Sequence, residues 1–455
     1  MFIYRDISRF PEPGLLTRDP SEFLLQSLNA AQNPLEAYGH EMLASDDFYA
    51  QYEARRKATL SVIEPMLEAN RTWQQPVEKF WMQGGISFPS AQLEMLHDTV
   101  RDYPEPEFNI QLDKETVIPE VVPGSERPFA EMLKFSCGKP DAETVFVLPA
   151  LSGHYSTLSK KTVQEALDQG RDVVTIRWKN PRDVALEQGD FDLDTYIDYL
   201  IDYLDILLTA DERLHLIAIC QAGTPLTAAL AIMAEDEKTI PKSATMIAVP
   251  GDTSVNPSYM IDSLEGLPNN YADDYLFHKV PEPYLGAGRM VLPSFMQLGS
   301  FIAPNAADHF KAHYPKHLTA LMKGDKAQIN RHNVFRNEFN AVMDMTRGYI
   351  SQTCDRNFYE PQLARGTFHH RDRLVRPELL TDMYLMTIEA DGDDITKEGQ
   401  CQANHKIFSG IPDEQRSNVL VFDTGHYGAF NNPKKMCNNG RTNGDNWNDH
   451  MKRAA

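Results

Sequence analysis

Cys220 ends a short apolar run, His215-Leu-Ile-Ala-Ile, and is followed by Gln221, Ala222, Gly223 and an alanine-rich stretch with helical spacing. This order reads as a nucleophile elbow, in which a buried strand turns sharply into a helix and the residue at the turn is held strained with its nucleophilic atom presented. The turn crowds the positions two before and two after the nucleophile, so both must be small. They are Ala218 and Ala222, which meet the G-x-S-x-G requirement in its steric sense. Thr224 and Pro225 open the helix that follows, and its N-terminal dipole favours a thiolate at Cys220. The competing reading is a buried structural thiol at a strand end.

A thiol nucleophile needs a base within hydrogen-bond reach, and the base needs an acid on its other nitrogen. Downstream of an apolar run at Met383–Ile388 comes Glu389-Ala-Asp391-Gly-Asp393-Asp394-Ile395, and after a run at Val419–Phe422 comes Asp423-Thr-Gly-His426-Tyr-Gly. Nucleophile, acid, histidine is the chain order of the α/β-hydrolase triad. Asp391, Asp393 and Asp394 share the acid loop, and Asp252 follows another strand-like run, so residue types alone leave the acid open. The oxyanion of acyl transfer needs backbone N–H donors, one from the residue after the nucleophile and one from the loop after an early strand. Gln221 is expected to supply the first. Leu151 or Ser152, in Leu148-Pro-Ala-Leu-Ser-Gly-His154, is expected to supply the second, with His154 a rival base in the same loop.

The elements that must position these groups alternate strand and helix from Thr144 onward. Val145–Leu148, Val173–Ile176, the run before Cys220, Ala244–Val249, Met383–Ile388 and Val419–Phe422 read as buried strands, and Leu158–Leu167 and Ile197–Leu208 read as helices, the latter capped by Asp194. Repeated strand-helix-strand units imply a mainly parallel sheet with ligands beyond the strands' carboxyl ends. Segments around Phe108–Leu112 and Phe129–Phe135 read as edge strands. Residues 1–102 read as an N-terminal helical region with an irregular start through Pro11, Pro13 and Pro20, amphipathic stretches at Glu41–Tyr49 and Tyr52–Ala69, and His40 and His97 standing apart from any ligand-like neighbour.

Lys and Arg number 44 against 65 Asp and Glu, and the net charge of -21 argues against a nucleic-acid or anionic-membrane binder. The five cysteines, at 137, 220, 354, 401 and 437, show no paired spacing. With a charged start, Met-Phe-Ile-Tyr-Arg-Asp, and no apolar run of roughly 18 residues, the expectation is a cytoplasmic protein with reduced thiols and no transmembrane segment.

Residues 252–380 interrupt the alternation and read as a cap insertion over the active site. Tyr284, Met290, Phe295, Met296 and Phe301, broken by glycines and prolines, either form an adaptable apolar substrate-binding surface or pack the cap's own core. His309, His313 and His317 recur at helical spacing, but Pro315 interrupts the helix and no H-E-x-x-H glutamate is present, so no metal is expected.

Leu151-Ser-Gly-His-Tyr-Ser-Thr-Leu158, Ile176-Arg-Trp-Lys-Asn-Pro-Arg182, Cys220-Gln221, Asp393-Asp394-Ile395 and Gly425-His426-Tyr427-Gly428 together resemble the intracellular polyhydroxyalkanoate depolymerases, over about Tyr103 to Phe430. The resemblance implies an α/β-hydrolase fold with a cysteine nucleophile that degrades stored polyester, polyhydroxybutyrate among them. It implies action at the storage-granule surface without a cofactor, and leaves a homo-oligomer open. The related polymer synthases have an acid loop ending Asp-His-Ile, and matching Asp393-Asp394-Ile395 to it puts the triad acid at Asp393. Ala222 stands where many members have proline, and Arg177 where an acidic residue is common. The expected architecture is an α/β class core at 103–251 and 381–430, with residues 431–455 a disordered tail. Two alternatives remain: a polyhydroxyalkanoate synthase-type acyltransferase, and a catalytically weak granule-coating protein.

Overall fold

The computed structural model describes residues 47–81, 86, 88–258, 261, 275–302 and 311–455. The irregular start, His40, His309, the side chain of His313 and most of the stretch expected to be helical from Glu41 lie outside these. The chain divides into two compact units, Met1–Pro104 with Pro268–Asp344, and Glu105–Leu267 with Met345–Ala455.

In the first unit a long helix, α1 (Phe48–Trp81), lies against α2 (Phe88–Val100). α1 buries Phe48, Tyr49, Ile63 and Leu67, the last two one turn apart on one face. Glu53 is buried as well, held by both nitrogens of the Arg56 fork at 3.1 and 3.0 Å and by the Tyr284 hydroxyl at 3.1 Å. Asp344 joins two more segments, accepting from Tyr49 Oη at 2.9 Å and from Ser294 N at 2.8 Å, where it caps the helix Ser294–Ile302. Pro315 does not end its helix as expected. The missing N–H is absorbed in a widened π-turn, Ala312–His317, that runs on into Leu318–Lys323.

The second unit holds one eight-stranded sheet. Its strands are β1 (Glu120–Val121), β2 (Ala130–Phe135), β3 (Thr144–Leu148), β4 (Asp172–Trp178), β5 (Leu214–Ile219), β6 (Ser243–Ile247), β7 (Tyr384–Ala390) and β8 (Arg416–Val421), in the order β8-β7-β6-β5-β3-β4-β2-β1. β3 to β8 run parallel; β2 is antiparallel to β4 and to β1. Every residue of β5 and of β6 is buried, as expected of central parallel strands covered on both faces. The fold is an α/β-hydrolase fold: a mixed, mostly parallel sheet with helical additions before it and within it. Phe129–Phe135 is not an edge strand, because β1 adds outside it, and Phe108–Leu112 contributes instead to a separate hairpin, Ile110–Leu112 with Glu115–Val117.

The helices of this unit are α3 (Lys160–Asp168), α4 (Leu193–Ala210), α5 (Gly223–Glu235), α6 (His426–Asn431) and α7 (Asn443–Ala454). The cap of α4 is Asp192, which accepts from Thr195 N at 2.7 Å. Asp194, expected in that role, instead takes the Arg356 fork at 2.8 and 3.1 Å and His370 Nδ1 at 3.2 Å. These contacts, with Gln352 accepting from Leu193 N at 2.9 Å, explain why residues 345–380 belong with the sheet and only 268–344 with the N-terminal helices. The expected single insertion 252–380 is therefore split between units.

The tail expected to be disordered is folded. Trp447, His450 and Met451, at helical i, i+3, i+4 spacing, are buried on one face of α7, against β6 and β7. Thr442 caps the helix by accepting from Asp445 N at 3.1 Å, and Asn443 Nδ2 donates to Ala429 O. The polar composition hid an apolar stripe of two residues and asparagine amides that donate to neighbouring backbone oxygens.

Candidate active site

Cys220 lies at the strand-to-helix turn after β5 with φ of 52°. A non-glycine residue there costs about 1–2 kcal/mol, so packing around the turn must hold it. Ala218 and Ala222 are fully buried on either side. Gly223 is required by a neighbour from β6: a Cβ there would lie 2.1 Å from Val249 Cγ1. The sulfur itself is largely buried, with Cys220 6% exposed.

β7 and β8 end level, Ala390 paired with Val421, so the acid and histidine loops start side by side. They are then laced together. Asp391 N donates to Val421 O at 3.1 Å and Gly392 N to Thr424 O at 3.0 Å, while the Asp391 carboxylate accepts from Asp423 N at 3.0 Å and Thr424 N at 3.3 Å. Gly428 must be glycine, since a Cβ would fall 1.6 Å from Thr424 Oγ1. Asp393 is pinned by one carboxylate oxygen, which accepts from Ile395 N at 2.9 Å and Thr396 N at 2.8 Å. Its other oxygen lies 2.8 Å from His426 Nδ1, a separation that fits Nδ1–H as donor.

Burial of His426 opposes its charging, but Cys220 first, and Asp393 next, outweigh this and hold its pKa well above the ordinary imidazole value. The other candidate acids are engaged elsewhere: Asp391 on the 423–424 backbone, Asp252 on Ser254 N and Oγ, and Asp394 exposed. α6 is braced by Thr162 Oγ1 on Phe430 O at 2.6 Å and by Asn443 of the folded tail.

Leu148 pairs with Ala218, so the loop bearing Leu151 and Ser152 leaves β3 beside the elbow. Leu151 is buried and Ser152 half-buried; Gln221 lies in the 3-10 turn that begins at Cys220. His154 is buried and meets the Tyr427 ring edge-on at 6.3 Å, and Tyr427 in turn meets His426 edge-on at 6.1 Å. Burial pushes the phenols of Tyr427 and Tyr349 upward.

Among the five expected substrate-binding residues, Tyr284 and Phe295 pack against the core of the first unit formed by Tyr49, Val280 and Val291, with Phe295 stacked on Tyr52 at 3.7 Å. Met290, Met296 and Phe301 are half-buried, Met290 in a short strand paired with Lys279. Of the three expected imidazoles only His317 is described, and it approaches Asp98 and His332. Its ring stacks on His332 at 3.6 Å and 18°, one ligand atom from each of the three lies within 4.8 Å of the others, and Arg101 binds Asp98 Oδ1 at 2.8 Å.

Residues 248–439 match a protein-family model described as PHB de-polymerase C-terminus. That stretch of the chain, less than half of its length, is similar to the PHB depolymerase family. The matched stretch contains Asp393 and His426, whereas Cys220 precedes it. No curated protein matches the chain. Among solved structures it is similar to a bacterial membrane phospholipase A (12% identity, TM-score 0.39, 88% of this chain and 99% of that one) and to naproxen esterase from Bacillus subtilis (13%, 0.39, 80% and 96%). A soluble variant of monoglyceride lipase from Saccharomyces cerevisiae is a third (9%, 0.42, 75% and 98%). The fold assignment rests on the strand order and the elbow. Among the described residues no helix is long and apolar enough to cross a membrane.

Proposed function

We propose that this chain is a hydrolase that cleaves ester bonds of stored polyhydroxyalkanoate at the granule surface through a covalent acyl-cysteine intermediate, with Cys220 as nucleophile, His426 as base and Asp393 as its orienting acid. The observation that carries the reading is the 2.8 Å pair of Asp393 and His426, together with the left-handed backbone of Cys220 at the turn after β5. His426 takes the thiol proton, Asp393 stabilises the imidazolium, and the sulfur attacks the ester carbonyl. N–H groups of Gln221 and of Leu151 or Ser152 receive the oxyanion. Collapse forms the acyl-cysteine thioester and expels the alcohol end of the polymer, protonated by His426. Water, deprotonated by the same ring, releases the hydroxyacid.

Support for the polyester comes from the family match, since a triad by itself specifies only acyl transfer. The test is release of hydroxyacid from amorphous polyhydroxybutyrate by the full chain, expected to vanish in Cys220→Ala. The second reading, a synthase, uses the same groups in acyl transfer from a coenzyme A thioester. Polymer growth with coenzyme A release from hydroxybutyryl-coenzyme A would favour it over hydrolysis.

A further inference from the structure

The acid loop contains a second buried carboxylate that the chemistry above does not use. Glu389 lies next to the end of β7 and is 2% exposed, at a position where a central strand ordinarily carries Val or Ile. A buried carboxylate is tolerated only when it is well bonded. Here Oε1 accepts from Gly399 N at 2.8 Å, Cys401 N at 3.0 Å and Gln402 N at 3.1 Å. One oxygen therefore gathers the far end of the loop whose near end Asp393 gathers through Ile395 N and Thr396 N.

The gathered segment is also tied toward the elbow. Cys401 Sγ accepts from Val249 N at 3.4 Å and donates to Met246 O at 3.4 Å, while Gln400 O accepts from Gly251 N at 3.1 Å. Val249 is the residue whose methyl groups fill the space over Gly223, three residues after Cys220 in the turn. A continuous set of contacts thus runs from Glu389 through Cys401 and Val249 to the elbow, and from the same loop to Asp393.

We infer that Glu389 is a positioning residue that fixes the acid loop between the elbow and β7, and so sets where Asp393 meets His426. The inference rests on the reading of Cys220, Asp393 and His426 as nucleophile, acid and base. The contact it makes is geometric: three N–H groups need an acceptor oxygen at the Oε1 position, and they do not need a net charge. A neutral amide that keeps that oxygen should therefore serve.

The experiment uses the full chain, a soluble short-chain hydroxyacid ester, and proton NMR of the far-downfield Nδ1–H of His426. Glu389→Ala is expected to lower kcat roughly tenfold or more, because a small misplacement of a catalytic group is costly, with KM within about twofold. It should also broaden or lose the downfield resonance. Glu389→Gln is expected to keep the resonance and a kcat within about threefold of the parent, since the acceptor remains. A residue that only stabilised the sheet would lower the melting temperature and leave the resonance and kcat in place, and that outcome in folded Glu389→Ala overturns the inference. Should the alanine variant not fold, Glu389→Gln decides alone: a tenfold loss of kcat in a folded protein with its resonance intact overturns a geometric role. Cys220→Ala, run beside them, reports separately on the underlying reading, which fails if that variant still turns over.

Discussion

Two stretches invite a functional reading, the loops after β7 and β8 and the apolar residues 284–302, and they differ in where their side chains go. In the loops, Asp391, Asp393 and Glu389 alternate along the chain and send their carboxylates to three separate targets: the histidine-loop backbone, His426 itself, and the backbone at 399–402. In residues 284–302 two aromatic groups pack within the first unit: Phe295 stacks on Tyr52 and Tyr284 bonds Glu53. Two of the aromatic residues, Tyr284 and Phe295, pack against the Tyr49, Val280 and Val291 core, whereas the polar groups of the loops bond to one another. Buried carboxylates alone do not separate the two cases. Glu53 and Asp344 are also buried, and they join helices.

The sharpest way to break the comparison is Asp393→Asn, expected to lower kcat by about three to four orders of magnitude by disfavouring the Nδ1–H tautomer and the imidazolium. The same change should move a pH dependence. Because the folded His426 pKa is raised above its ordinary 6.5, its contribution to stability is fully present below that value and is lost as pH rises through the raised one. Chemical denaturation across neutral to alkaline pH should show that loss in the parent. In Asp393→Asn the window should shift to lower pH.

Next in size is packing. Trp447→Ala removes a side chain 1% exposed and should cost about 3–5 kcal/mol, with part of the kcat lost through the bracing of α6. Phe295→Ala should cost about 3 kcal/mol while kcat on a small soluble ester stays near the parent value. Retained stability with weakened polymer binding in Phe295→Ala would instead restore a surface role for that segment. The smallest effect is Asp192→Ala, about 1 kcal/mol by loss of the α4 cap, measured by denaturant titration.

Much of this was legible in the sequence wherever one residue type has one physical job. Small residues around Cys220 announced the elbow, and apolar runs with β-branched residues gave six of the parallel strands to within a few residues. What failed were polar groups with several possible partners. Asp194 and Asp192 are both plausible caps by position, and only the Arg356 and His370 partners, far along the chain, assign Asp194 elsewhere. Residues 431–455 looked disordered because Asn443 and Asn446 are buried with side-chain amides that donate to the backbone oxygens of Ala429 and Thr442, bonds that composition does not reveal. Tyr349 packs its ring against Phe191 and Tyr196, far back along the chain, a proximity that no spacing encodes.

The central claim is that acyl groups pass through the sulfur of Cys220. Rapid quench after mixing the full chain with an activated 3-hydroxybutyrate ester, followed by intact-protein mass spectrometry and peptide mapping, tests it most directly. One hydroxybutyryl group should appear on the Cys220 peptide, decay as hydroxyacid is released, and be absent from Cys220→Ala. An adduct on another residue, or turnover at the parent rate in Cys220→Ala, would contradict the account.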